Sequence, residues 1–305
     1  MNQVKRAIVI GPTGVGKSAF ADIFAERIFG EIVNADVCQM YAPLSIGTAK
    51  PDLTSVVVPH HLFSCIDVPE AYSVVEFRKK AQNVVDEIEA RRKRAVLVGG
   101  SGFYLYSLFF PPLYAPGSKK SPHKSRESDL GSGWIQLNAI DPIRAAAIHP
   151  SDTYRIERAL EIFEESGCLP SQHKPTFSDF EAHVFFVERD TAELYQIIDA
   201  RVDQMIASGW IDEADALDAL WRAFVRKRNV IGYPELLDYI DGIISLKEAT
   251  AKIKQLTRNY AKRQGTFNRR FKKLLGQHGV STSEIHLTLS GADLYLERYA
   301  MLFKE

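Results

Sequence analysis

Cysteine is scarce in this chain of 305 residues, and its scarcity excludes two kinds of stabilising site. Cys38, Cys65 and Cys168 are odd in number, widely separated and without a C-x-x-C pair. A disulfide framework and a structural zinc site are therefore not expected. The adjacent His60 and His61 do not alter this, because neighbouring residues do not share one face of a helix as paired ligands would.

Net charge and long apolar runs are lacking as well. Lys plus Arg and Asp plus Glu both number 38, so the overall charge indicates no partner. Residues Met1 to Arg6 lead directly into an apolar strand that is too short to span a bilayer or to act as a signal sequence. We therefore expect no membrane partner and a reducing cytoplasm, and we take a monomer as the default oligomeric state.

Short apolar strands alternate with helical patterns through the first hundred residues. Candidate strands cover residues 7–10, 31–35 and 94–98, and candidate helices cover about 17–29 and 73–92. Strands of this kind, separated by helices, are typical of a parallel sheet with helices on both faces. The sequence predicts an α/β fold of the P-loop NTPase type.

The composition changes after Phe110. Pro111, Pro112 and Pro116 precede a polar stretch to about Gly133, which predicts a loop. A helical piece at 141–167, a strand at 184–187 and further helices follow. We therefore predict a P-loop core at 1–111, a reduced helical insertion at 112–182 and a return to the core at 183–305, which is mainly helical.

A phosphate-binding motif lies between the first strand and the first helix. The pattern G-x-x-x-x-G-K-[ST] is matched by Gly11, Pro12, Thr13, Gly14, Val15, Gly16, Lys17 and Ser18. In such a loop the backbone N–H groups and the helix N-terminus surround phosphate oxygens, the lysine adds a full positive charge, and the hydroxyl can bind Mg²⁺. The strand–loop–helix context makes a chance match the weaker explanation, so we predict a phosphate site with Mg²⁺ on Ser18.

The ends of the next two strands carry other polar groups. Asp36 follows the second strand, and Gly99-Gly100-Ser101 follows the third without a carboxylate. ATPases and GTPases usually place an acid there to hold Mg²⁺, so motors and switches are disfavoured while a small-molecule kinase stays open. Ligands of such sheets bind beyond the carboxyl ends of the strands. Asp36 is then either a proton acceptor or the cap of its turn, and the sequence favours neither.

A basic helix is predicted near the C-terminus. Nine Lys or Arg residues and no acid lie between Lys252 and Lys273. One helical face is apolar, comprising Ile253, Leu256, Tyr260, Phe267, Phe271 and Leu274. Another is basic, comprising Lys254, Arg258, Lys262, Arg269 and Lys273. Solvated helix faces usually mix charges of both signs, so this stripe favours contact with nucleic-acid phosphates.

Together these motifs resemble bacterial tRNA dimethylallyltransferases along essentially the whole chain. The most specific runs are Gly-Thr-Ala-Lys-Pro at 47–51 and Tyr-Ala-Lys-Arg-Gln at 260–264. Further matches are Asp36 with Gln39 and Tyr41, 71–73 with 77–78, 98–102 with Tyr104, 148–152 with Arg155 and 158–161, 232–233, and 257–259. The sequence departs from the family pattern at Val37 (usually Ser), Ser101 (usually Thr), Asn229 (more often Arg or Gln), Phe267 (usually Trp) and the short segment 112–134.

The resemblance implies transfer of a dimethylallyl group from dimethylallyl diphosphate to the N6 amino group of the adenosine directly 3′ of the tRNA anticodon. That base would leave its stack to react. The P-loop would hold the diphosphate, with Lys17, Asp36 and Ser101 as catalytic residues: Asp36 would accept the proton, and Ser101 would hydrogen-bond near the bridging oxygen. The implied tRNA-binding residues are Asp36, Val37, Cys38, Gln39, Ser101, Tyr154, Arg155, Arg158, Asn229, Gly232, Tyr233, Arg258, Lys262 and Arg263.

Three other functions remain open from the sequence. The first is a prenyltransferase that acts on free adenine nucleotides, the second is a small-molecule kinase that binds ATP, and the third is a non-catalytic tRNA-binding protein. The basic helix disfavours the first two, and the presence of Lys17 and Asp36 disfavours the third.

Overall fold

A computed structural model of the chain describes residues 6–100, 102–112, 132–172 and 176–287. The described strands are β1 (Arg6–Ile10), β2 (Gly30–Asn34), β3 (His60–His61), β4 (Arg94–Gly99), β5 (His183–Glu188) and β6 (Thr282–His286). The described helices are α1 (Lys17–Arg27), α2 (Val37–Met40), α3 (Val74–Ala90), α4 (Gly102–Phe109), α5 (Ser132–Ile140), α6 (Pro142–Ala146), α7 (Thr153–Ser166), α8 (Thr191–Ala207), α9 (Trp210–Asp215), α10 (Ala219–Lys227), α11 (Tyr233–Ile240) and α12 (Leu246–Gln277).

These strands form one sheet in the order β3-β2-β4-β1-β5-β6, and every neighbouring pair is parallel. The predicted α/β fold with a parallel sheet and flanking helices is confirmed. The sequence did not predict β3 or β6. The first has only two residues, and the second has a single buried residue, Ile285, so neither shows the apolar run of a central strand.

Aromatic side chains fill the space between α1 and the sheet. Phe20 and Phe24 of α1 both contact Phe185 of β5 edge-on, with ring centroids 5.8 and 5.1 Å apart. All three rings are almost completely buried, and burial of such a side chain contributes about 1.5–3 kcal/mol. The P-loop that precedes α1 is thereby attached to a rigid core.

Hydrogen bonds at their first turns define where the long helices begin. Ser73 and Glu76 form a reciprocal capping box at α3, and Ser245 and Glu248 form another at α12. Each serine hydroxyl accepts a backbone N–H, and each glutamate accepts the N–H of the serine in return. Within the described ranges, no helix has both the length and the apolar composition needed to cross a membrane.

The buried face of α12 differs from the predicted one. Ile253 and Phe271 are buried as expected, whereas Leu256, Tyr260, Phe267 and Leu274 are only partly covered. Two polar residues, Gln264 and Asn268, are buried in that row. The apolar pattern misidentified this face because two positions on it carry amide side chains.

The chain divides into two compact units. One contains residues up to Leu108 and from Asp179 onward, and the other runs from Phe109 to Ser178. The predicted insertion at 112–182 is thus displaced by three to four residues from this unit at either end.

The smaller unit has a core of its own. This core comprises Leu137, Ala145, Ile148, Ile156 and Ala159, with Trp134 and Leu160 packed against it. The loop predicted to about Gly133 ends before Ser132, where α5 begins, and residues 113–131 lie outside the described part. The single helical piece expected at 141–167 is two helices, because Asp141 and Asp152 each cap a new one.

Candidate active site

The carboxyl ends of β1, β2 and β4 lie side by side at one edge of the sheet. Because β4 separates β1 from β2, Gly99 and Gly100 lie between the P-loop and Asp36. A Cβ on Gly99 would come within 2.5 Å of the Ala35 carbonyl oxygen, so this approach requires glycine. The strand order therefore brings together the predicted phosphate loop and the predicted proton acceptor.

The P-loop has the backbone geometry of an anion site. Gly14 and Gly16 adopt φ angles of 79° and 99°, which favour glycine. Gly16 caps α1 without any side-chain hydrogen bond, so the N–H groups of the first turn face outward. The Nζ atom of Lys17 lies 3.3 Å from the Pro12 carbonyl oxygen, to which it donates. Val15, within the loop, belongs to the core and not to the binding surface.

The side chains of Lys17, Asp36 and Arg201 interact electrostatically in a poorly solvated part of the site. Burial lowers the pKa of Lys17 to about 8; Asp36 opposes this shift and Arg201 adds to it. Burial raises the pKa of Asp36, although Lys17, the N–H of Cys38 and Arg201 oppose the shift. Burial also lowers the pKa of Arg201, against the attraction of Asp36. Two cations and one carboxylate fit a ligand that carries several negative charges.

Asp36 is held from both sides by Asn34. The Asn34 Oδ1 atom accepts the Asp36 N–H at 2.8 Å, and Asn34 Nδ2 donates to the Asp36 carbonyl at 3.0 Å. Asp36 Oδ1 accepts the N–H of Cys38 at 3.1 Å and so caps α2. Among the described residues Oδ2 has no hydrogen-bond partner, so the cap leaves one carboxylate oxygen for chemistry.

Two cavities meet at this edge. The first, of about 450 Å³, is lined by Asp36 and, among others, Thr13, Gly14, Val37, Cys38, Arg201, Trp210, Asn229 and Arg263. The second, of about 470 Å³, is lined by Gly14, Gly16, Lys17, Ser18, Ala19, Ile197, Ala200, Arg201 and Gln204. Gly14 and Arg201 belong to both. The two cavities are therefore adjacent at these two residues.

Three predicted tRNA-binding residues support the wall of the first cavity instead of lining it. Gln39 donates from Nε2 to the carbonyls of Thr48 and Ala49, at 3.0 and 3.1 Å. A Cβ on Gly232 would lie 2.1 Å from the Trp210 ring. Tyr233 is 0% exposed, so its side chain offers no surface to tRNA, contrary to the prediction.

Glu213 organises the same wall. Its carboxylate accepts the N–H groups of Ser45, Ile46 and Gly47, at 2.7–3.1 Å, and the hydroxyl of Tyr233 at 2.6 Å. Four donors on one carboxylate anchor the 45–47 loop, whose Gly47 lines the first cavity.

The predicted basic stripe of α12 is partly neutralised. Lys254 pairs with Asp203 of α8 at 2.6 Å, and Arg258 Nη1 donates to both carboxylate oxygens of Asp199 at 2.6 Å. The prediction of a one-signed face is wrong in this half of the helix, because acids from another helix lie against it. Lys262, Arg263, Arg269, Arg270 and Lys273 remain exposed.

The other predicted contacts belong to both units. On α7 of the smaller unit, Tyr154 is 68% exposed and the Arg155 side chain is also 68% exposed, while Arg158 pairs with Glu161 at 2.8 Å. In the main unit, Asn229 has a φ of 47° and lines the first cavity. Ser101 lies outside the described residues.

Sequence reasoning missed Arg201 and Gln264. Arg201 shares one face of α8 with Ile198, Val202 and Met205, all of which line the first cavity. An arginine within an apolar stripe, like an amide within the buried stripe of α12, was the available signal.

Comparison with known proteins gives a consistent result. A sequence model of the family described as IPP transferase matches residues 39–271. The tRNA dimethylallyltransferase of Geobacter metallireducens is 39% identical over 292 residues, which cover 90% of this chain and 92% of that one. The Symbiobacterium thermophilum enzyme of the same name is 36% identical over 278 residues, covering 88% and 87%.

A comparison with solved structures gives the same result as the comparison of sequences. A eukaryotic dimethylallyltransferase acting on tRNA has a TM-score of 0.82 and 27% identity, covering 97% of this chain and 78% of that chain. The region that the family model matches, 39–271, begins three residues after Asp36 and includes most of α12. This protein belongs to the IPP transferase family.

Proposed function

We propose that this protein transfers a dimethylallyl group from dimethylallyl diphosphate to the N6 amino group of the adenosine directly 3′ of a tRNA anticodon. The observation that supports this most strongly is the meeting of two cavities at Gly14 and Arg201. One has the charge and backbone geometry for a diphosphate, and the other contains the carboxylate. A group transfer between two substrates needs this arrangement, in which the reacting atoms meet where the two sites join.

The diphosphate of the donor would lie on the P-loop. The N–H groups of the first turn of α1, Lys17 and Arg201 would bind its oxygens. The exposed hydroxyl of Ser18 lines this cavity, and together with the oxygens of the diphosphate it would hold Mg²⁺. The ion would neutralise part of the diphosphate charge when bound.

The bond changes assign separate roles to the residues. The allylic carbon–oxygen bond breaks, its electron pair goes to the diphosphate, and the adenine nitrogen forms the new carbon–nitrogen bond. Lys17 and Arg201 stabilise the charge that grows on the leaving oxygen. Asp36 Oδ2 accepts the proton that the amine loses, and the raised pKa of Asp36 favours this. Ser101 would hydrogen-bond near the bridging oxygen that leaves with the diphosphate.

The acceptor would enter the first cavity, which Asp36 lines, as an unstacked base. Val37, Cys38 and Asn229 line that cavity, and Lys262 and Arg263 lie on the exposed side of α12. We propose that these residues, with Tyr154, Arg155 and Arg158 of α7, contact the tRNA. We also propose that the protein works as a monomer in the cytoplasm, where its free Cys38, Cys65 and Cys168 stay reduced.

Incubation with radiolabelled dimethylallyl diphosphate tests the function. We expect Mg²⁺-dependent transfer of label to unmodified tRNA that carries adenosine 3′ of its anticodon, and none to the same tRNA with guanosine there. Equal transfer to AMP would identify an enzyme of free nucleotides instead. Hydrolysis of ATP with phosphorylation of a small acceptor would identify a kinase.

A further inference from the structure

Gln264 makes two hydrogen bonds that join α12 to the phosphate site. Gln264 is buried, with 5% of its surface exposed. The Oε1 atom accepts the N–H of Thr13 in the P-loop at 2.9 Å. The Nε2 atom donates to the carbonyl of Gly100, after β4, at 2.7 Å. One amide thus connects the loops that follow β1 and β4.

These bonds extend to the ammonium group of Lys17. The peptide unit between Pro12 and Thr13 accepts a hydrogen bond from Lys17 through its C=O and donates one to Gln264 through its N–H. The chain therefore runs from Lys17 through this peptide and the Gln264 amide to Gly100, with every donor pointing the same way. Hydrogen bonds in such a chain polarise one another and strengthen.

The surroundings fit the two ends of a primary amide. The Gln264 oxygen accepts from Thr13 while its nitrogen donates to Gly100, and the side chain has the length to reach both. A Cβ on Gly100 would lie 2.6 Å from Gln264 Nε2 and 3.4 Å from Lys17 Nζ. Glycine at position 100 is what allows Gln264 and Lys17 to lie so close together.

The position of Gln264 on α12 gives these bonds a consequence. Lys262 and Arg263, the two residues that precede it, are exposed on the side proposed to meet RNA. Because a helix moves as a rigid element, RNA that displaces those two residues would also displace Gln264. The hydrogen bond from Thr13 to Gln264 would pass that displacement to the P-loop. Because Gln264 takes the N–H of Thr13, it also fixes the orientation of the peptide from which the Gly14 to Ser18 amides continue.

We propose that Gln264 is a positioning residue that couples the RNA-facing helix to the diphosphate site, so that RNA and diphosphate strengthen each other's binding. The RNA half of this statement rests on the proposed function. The diphosphate half rests on the bonds to Thr13 and Gly100 alone.

The test compares Gln264→Met, which has similar length but no hydrogen-bonding amide, with Gln277→Met, the same change at the exposed end of α12. The dissociation constant of Mg²⁺–inorganic diphosphate is measured by calorimetry with and without unmodified tRNA. For wild type and Gln277→Met we expect tRNA to tighten diphosphate binding by about 5-fold or more, the lower range of ordinary coupling. For Gln264→Met we expect diphosphate alone to bind about 10-fold more weakly than to wild type. Its coupling factor, the ratio of the diphosphate dissociation constants without and with tRNA, should approach one. The affinity for tRNA alone should stay within about 2-fold of wild type.

Gln264→Glu covers the case in which Gln264→Met does not fold. Glutamate keeps the acceptor for Thr13 but cannot donate to Gly100 when ionised, so its coupling should also fall. A coupling factor in the folded variants equal to that of Gln277→Met, or none in wild type, overturns the proposal. A wild-type protein that shows the coupling yet transfers no prenyl group to tRNA refutes only the proposed function.

Discussion

Asp36 divides its two carboxylate oxygens between structure and chemistry. Oδ1 caps α2 by accepting the N–H of Cys38, while Oδ2 is unpaired among the described residues. The sequence presented the cap and the proton acceptor as alternatives. Because a carboxylate has two oxygens, the structure allows both at once. Asn34 fixes the backbone on both sides of the group, so the carboxylate is held in place before a substrate binds.

The exchange Asp36→Asn separates the two roles. The amide oxygen can still cap α2, but the side chain can no longer take a proton. We expect kcat to fall by about 10²–10⁴, the usual contribution of a general base, while the affinity for Mg²⁺–diphosphate stays near that of wild type. Single-turnover kinetics at saturating tRNA measures this. The control is Asp86→Asn on the exposed side of α3. An Asp36→Asn rate within about 3-fold of wild type would leave Asp36 as a cap only.

At the scale of elements, the contact between α8 and α12 determines how much of the basic helix meets a partner. Asp199 and Asp203 lie one helical turn apart on α8 and pair with Arg258 and Lys254. The arginine is 23% exposed in its side chain, and its acid is 36% exposed. Partly exposed pairs of this kind contribute about 0.2–1 kcal/mol each. Their main effect is to neutralise two positive charges on the face of α12 that the sequence analysis assigned to RNA.

Two double variants distinguish the paired from the free positions. We expect Lys262→Gln/Arg269→Gln to lower the slope of log K against log salt for tRNA binding by up to about two units, one for each lost phosphate contact. The variant Lys254→Gln/Arg258→Gln should change that slope by less than about half a unit. It should instead lower stability by about 1 kcal/mol, measured by urea unfolding. Equal slopes in the two variants would contradict this division of α12.

At the scale of the whole molecule, a buried histidine connects stability with pH. His183 in β5 is 3% exposed and lies within hydrogen-bonding distance of the hydroxyls of Ser281 and Ser283, at 2.8 Å each. Burial lowers its pKa to about 4 from the ordinary 6.5. Between these two values the unfolded chain binds a proton that the folded protein does not, so stability falls as the pH drops from 6.5 towards 4.

Replacement of His183 tests this linkage. We expect wild-type protein to lose about 2 kcal/mol of stability between neutral pH and about pH 5 through this residue. The variant His183→Gln should be less stable at neutral pH, but its stability should fall less steeply on acidification. His278→Gln, at an exposed position after α12, should keep the wild-type slope. Urea unfolding at a series of pH values measures both, and parallel pH profiles for wild type and His183→Gln would contradict the assignment.

The sequence by itself determined the features that depend on residues close together in the chain. The P-loop follows from a Gly-Lys-Ser motif between a strand and a helix, and α3 begins directly after Ser73, which forms a capping box with Glu76. The central strands could be predicted because strands buried on both faces are apolar throughout. From those strands, the ligand-binding edge and the place of Asp36 follow by the geometry of parallel sheets.

Tertiary structure alone decided which distant groups became partners. Gln264 reaches Thr13 across 251 positions of sequence, and Arg258 reaches Asp199 across 59. No local pattern shows that Asp199 neutralises Arg258, that Arg201 joins two cavities, or that Tyr233 is enclosed with Glu213. Helical periodicity tells which residues share a face but not which other element covers that face. The charge and accessibility of a side chain depend on that second element, and packing chooses it.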